Sequence, residues 1–143
     1  MNRARLVHVF VIGAHALVGW GICGAVIGIG RQVTSLDATL VAHAVAVPVV
    51  FGLVSANYFR LFGYTSPFAT ASIFLGIAVA LDGLVVAPLF EHSYEMFSSV
   101  LGTWIPFGLI FAATYTAGSL VGARRSPAHA QPQPQPASES AFG

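Results

Sequence analysis

Apolar residues along this chain fall into four long blocks, at about 6–29, 38–59, 67–90 and 97–121, separated by short polar breaks. At about 1.5 Å rise per residue, each block as a helix is long enough to cross a hydrocarbon core of about 30 Å. The blocks are continuously apolar and lack the strict alternation of barrel strands, so helices are the elements that satisfy the backbone in lipid. The breaks carry the start signals. Arg31-Gln32-Val33-Thr34-Ser35-Leu36-Asp37 offers Ser35 or Asp37 to cap the second helix. Ser66-Pro67 opens the third, because proline lacks the N–H that would be unpaired at a helix start. Glu91-His92-Ser93-Tyr94-Glu95-Met96 separates the third helix from the fourth. Loops this short predict that consecutive helices are antiparallel neighbours. The fold class expected is all-α, a polytopic membrane protein built as an antiparallel four-helix bundle over residues 1–125.

Arg3 and Arg5 resemble the basic start of a signal peptide, but the first apolar block far exceeds the usual 7–15 or so residues of an h-region. Trp20-Gly21-Ile22 before Cys23 makes a poor lipobox, so the block is read as a mature helix. From Ser126 onward, Gln131-Pro132-Gln133-Pro134-Gln135-Pro136 and its flanks have too little apolar surface to fold, and residues 126–143 are expected to be a disordered tail. No internal repeat of the kind that marks duplicated transporters is found.

Composition narrows the class further. With 56% hydrophobic and 8% charged residues, and mean hydropathy +0.79, the chain lacks the charge a soluble surface needs. A net charge of +1 and the absence of a basic stripe argue against nucleic acid as a partner; the lipid bilayer is the partner implied. Every basic residue is arginine, in keeping with a high-GC bacterial source. Arg3, Arg5, Arg60, Arg124 and Arg125 fall on one side and Arg31 alone on the other, which predicts a bacterial inner-membrane protein with both termini cytoplasmic. The lone Cys23 lies mid-block and reads as a small packed hydrophobe.

Polar residues at membrane depth carry the candidate chemistry, since each is costly in hydrocarbon unless paired or turned to the bundle interior. Counting along each helix places His43, Asp82, Thr103 and Trp104 about 7–10 Å below the outer surface, with Trp20 in the same layer. Asp82 is expected to accept hydrogen bonds from His43, Thr103 or an indole N–H. Such a layer serves either as interhelical glue or as a proton or cation site reached from outside. Pro48, Pro88 and Pro106 deprive the carbonyls of Ala44, Leu84 and Gly102 of their usual partners in or near the same outer layer, where kinks could open a small polar pocket, although proline ordinarily only bends such a helix. Gly24 and Gly28 form a G-x-x-x-G pair that suits tight packing within the bundle or a dimer contact, the internal contact being the one expected. Asn57, Tyr58, Thr114, Tyr115 and Thr116 form a second polar band, with the tyrosines expected as interface anchors.

No cofactor and no metal site are expected. Haem is the alternative considered, since His8 and His15 share a face and His43 is on the next helix, but His15 and His43 are offset by about 8 Å along the membrane normal. Glu91, His92 and Glu95 supply only a weak metal-ligand set on one loop. No G-x-S-x-G, H-E-x-x-H or P-loop is present, so the reading leans away from an enzyme.

Tyr64-Thr65-Ser66-Pro67, Leu81-Asp82-Gly83-Leu84-Val85-Val86-Ala87 and Leu101-Gly102-Thr103-Trp104-Ile105-Pro106-Phe107 resemble segments of uncharacterised small bacterial inner-membrane proteins. The likeness covers the second half of the chain and implies a four-span fold without implying an activity. The function expected first is a non-enzymatic accessory or interaction subunit of a larger membrane complex or homo-oligomer. The rival is a small transporter or proton relay using Asp82 and His43.

Overall fold

The computed structural model describes residues 2–125, and the expected tail from Ser126 lies outside them. Helix α1 spans Arg3–Val33 and α2 spans Leu36–Leu61. Helix α3 covers Pro67–Leu81 and continues without a break as a π-helix over Asp82–Glu91. A 3-10 turn at Glu95–Ser98 and a π turn at Val100–Trp104 lead into α4, Ile105–Arg125. Among the described residues, four helical runs are long and apolar enough to cross a membrane: Arg3–Val33, Leu36–Leu61, Pro67–Glu91 and Val100–Arg125. The all-α, four-span architecture is therefore as the hydropathy pattern predicts. The helices overrun the apolar blocks because polar flanks such as Arg3, Arg5 and Arg31 continue the helix beyond its hydrocarbon-length portion.

The start signals act as read. Ser35 Oγ accepts from Ala38 N–H at 3.3 Å and so is the cap, in preference to Asp37. Ser66 Oγ accepts from Ala69 N–H at 3.3 Å, with Pro67 in the first turn. Between α2 and α3, Gly63 takes φ +57°, a left-handed conformation that closes the helix end by donating to the Tyr58 carbonyl at 3.0 Å.

Packing departs from the sequence reading in one respect. Helix α1 lies against α2 and α3, and α4 lies against the same two, so the consecutive helices α2 and α3 face each other across the bundle. Bulk explains it. Phe51 and Tyr58 of α2 meet Phe74 of α3 with ring centroids 6.1 and 6.3 Å apart, holding those backbones apart, and all three side chains are buried. Gly118 in turn lets α4 sit against Phe59 and Pro67.

In the half of the bundle that holds Arg3 and Arg125, buried polar groups are paired. Ser55 Oγ donates to Thr114 Oγ1 at 3.1 Å, and Tyr58, Thr65 and Thr70 form a hydroxyl chain at 2.9 and 2.7 Å that ends on the Ser66 carbonyl at 3.0 Å. His15 contacts the Val11 carbonyl through Nδ1 at 2.8 Å and Asn57 Nδ2 through Nε2 at 3.3 Å. Tyr58, expected as an interface anchor, is thus a core residue, 0% exposed; Tyr115 is exposed.

Candidate functional site

At the opposite end, the helical ladder changes type. In a π-helix each N–H reaches one residue further back than in an α-helix, so the turn is wider and the chain beyond it is re-aimed. Pro88 lies inside the π segment Asp82–Glu91, and the π turn Val100–Trp104, where Ile105 N–H donates to the Val100 carbonyl, directly precedes Pro106. Pro48, by contrast, leaves α2 helical through Leu61. Two of the three prolines therefore do more than bend their helices. The π segment's backbone stands off from α1, although α3 before it packs closely there.

The gap is a cavity of about 630 Å³. Trp20 and Cys23 line it from α1, His43 and Phe51 from α2, Asp82 from the start of the π segment, and Phe107 from α4. Two side-chain bridges span it from α1 to the third transmembrane helix. Deep in the bundle, Trp20 Nε1 donates to Asp82 Oδ1 at 2.8 Å. At the mouth, Arg31 pairs with Glu91.

Of the four residues expected in one polar layer, only His43 and Asp82 line the cavity. They do not hydrogen-bond to each other: Asp82 takes the indole, and neither ring nitrogen of His43 has a partner among the described residues, with Nδ1 fully shielded. Thr103 Oγ1 donates back to the Met96 carbonyl at 2.6 Å, and Trp104 Nε1 to the Phe97 carbonyl at 2.9 Å. Those two bonds close the loop before α4, and Trp104 faces outward, 58% exposed. The layer is thus split between a cavity pair and a loop clasp.

Gly24 and Gly28 also stand elsewhere than expected. A Cβ built on either would meet nothing within 4 Å, and both line the cavity. The close approaches on α1 fall to Gly19, where a Cβ would lie 3.0 Å from the Phe51 ring, and to Gly30, where it would lie 2.6 Å from the Thr39 methyl. The bare face of α1 is a cavity wall because the helix that would have covered it is splayed away.

Sequence reasoning named neither Cys23 nor the Arg31–Glu91 pair as part of the site. Opposite charges at the same end of two antiparallel spans were the available signal for the pair. His15 engages the Val11 carbonyl and Asn57 through its two ring nitrogens, and His8 stacks on Tyr64 with ring centroids 3.8 Å apart. Glu91, His92 and Glu95 do not converge; among the described residues, no three His, Cys, Asp or Glu side chains gather as a metal site. No protein-family model, curated protein or solved structure matches the chain.

Cys23 is the chain's single thiol, buried yet on the cavity wall, so it reports access through the mouth. Glu91→Gln removes the charge that holds Arg31 across the opening. Labelling of Cys23 by N-ethylmaleimide is expected to speed up severalfold in this variant. An unchanged rate would mean that the ion pair does not limit entry.

Proposed function

We propose that this is a multi-pass bacterial inner-membrane protein, termini in the cytoplasm, that binds a small organic cation with an apolar body in the cavity beside the π segment. The Asp82 carboxyl group supplies the counter-charge, and the His43 ring forms part of the cavity wall. The arginine distribution supports the orientation, Arg31 being the single arginine at the end away from the termini. The cavity then opens to the outer side.

One observation carries the reading. In the half holding the termini, buried hydroxyls and His15 are paired within the protein, whereas Asp82 is bound only through the Trp20 indole and His43 not at all. A role purely as glue would consume these groups, since an unpaired polar group in hydrocarbon costs several kcal/mol, roughly. A volume of about 630 Å³ suits a small organic molecule, and Phe51, Phe107 and Ile110 provide apolar walls. The same observation favours the rival expectation, a small transporter or proton relay using Asp82 and His43, over the accessory subunit, which asks nothing of an open carboxyl group.

Trp20 touches Asp82 and so serves as the reporter. In a Trp104→Phe protein it is the one remaining tryptophan of the two in the chain. Titration with tetraphenylphosphonium in mild detergent is expected to change Trp20 emission saturably, at concentrations well below those of neutral triphenylphosphine oxide. Equal responses to cation and neutral analogue, or none to either, would overturn the proposal.

A further inference from the structure

A second hollow, of about 360 Å³, lies at the end that carries the termini, between α2 and α4. Arg60, Arg124 and Arg125 line it, with Ala56 and Ala117 giving it depth and Leu120 and Val121 its apolar side. We infer that this hollow is a specific site for an anionic phospholipid, its phosphate held by Arg60 and Arg124 and an acyl chain laid along Leu120 and Val121.

Three features support this. The arginines converge from two helices into one concavity, and Arg125 is tied across it by donating from Nη2 to the Arg60 carbonyl at the end of α2. Guanidinium groups so placed match the geometry of a phosphate, which they bind in paired hydrogen bonds. Charge balance points the same way. The described carboxyl groups, Asp37, Asp82, Glu91 and Glu95, belong to the other half of the bundle or its loops, and neither Arg60 nor Arg124 has a side-chain partner among the described residues. Among the described residues, no carboxyl group neutralises the arginines at this end. Finally, Leu120 is 57% exposed beside the arginines, so the site is charged at the membrane surface and apolar below it, like the lipid itself. Basic pockets between transmembrane helices on the cytoplasmic side bind such head groups.

Arg3 and Arg5 supply a control, because they share this end of the bundle but do not line the hollow. Native mass spectrometry of the full chain, with phosphatidylglycerol, cardiolipin, phosphatidylcholine or inorganic phosphate added, tests the site. Retention of one phosphatidylglycerol or cardiolipin in preference to phosphatidylcholine is expected, falling about tenfold in Arg60→Gln and in Arg124→Gln and unchanged in the Arg3→Gln/Arg5→Gln double variant. Equal loss in all variants would show diffuse attraction and overturn the inference. So would retention of inorganic phosphate without lipid preference, or lipid binding indifferent to every arginine.

Discussion

Asp82→Asn is expected to weaken tetraphenylphosphonium binding roughly ten- to a hundredfold while leaving the bundle folded, a hydrogen bond to a charged group being worth about 1.5–3 kcal/mol. The substitution preserves shape. The asparagine carbonyl oxygen can still accept from Trp20 Nε1, which Asp82 Oδ1 now does at 2.8 Å, so the deep bridge from α1 persists. What is removed is the negative charge, which in an apolar cavity has no substitute nearby: Glu91, also on the lining, is engaged with Arg31 at the mouth. Wild-type affinity in the asparagine variant, with the Trp20 emission of the unliganded protein unaltered, would remove Asp82 from the site. Loss of fold instead would make the carboxyl group structural. Thermal unfolding in the same detergent separates the two results.

Gly118→Ala is expected to destabilise the bundle by about 1–3 kcal/mol, the usual cost of overpacking, while Gly24→Ala and Gly28→Ala cost nothing measurable. A Cβ at position 118 would lie 2.5 and 2.7 Å from the Phe59 ring and 2.9 Å from Pro67 Cβ. The ring could turn, but Pro67 Cβ is fixed to the backbone in the first turn of α3, so α4 itself must move. At Gly24 and Gly28 nothing lies within 4 Å, and a methyl group enters open space. Unfolding by sodium dodecyl sulfate titration compares the three variants directly. Equal stabilities would contradict the way α4 wedges between α2 and α3.

The spans were legible in the sequence because hydropathy and cap chemistry are local. Ser35 needs only the next three residues to cap α2, and Ser66-Pro67 sets its own helix start. The π segment was not legible. Pro88 and Pro106 announce a fault in the ladder, but whether it resolves as a bend or as a wider turn depends on the helices around it, and Pro48 produces no such fault. Gly24 and Gly28 were misplaced for the same reason. A row of small residues marks a bare helix face, and only the position of the third helix decides whether that face is filled or left open. Counting the rise per residue put Trp20 and Asp82 at one level, and the two side chains meet at 2.8 Å; it could not tell which indole faced inward, and Trp104 faces out.

The two bridges between α1 and the third transmembrane helix act in different media. Arg31 and Glu91 are partly exposed, with 45% and 31% of their side chains accessible, so dissolved ions reach them, and screening acts over about 8 Å at physiological salt. Trp20 and Asp82 meet deeper in the cavity, on its wall and only partly exposed. External ionic strength therefore bears on how fast a guest arrives, whereas the indole–carboxyl contact bears on how long it stays, and selection could adjust capture and residence one at a time.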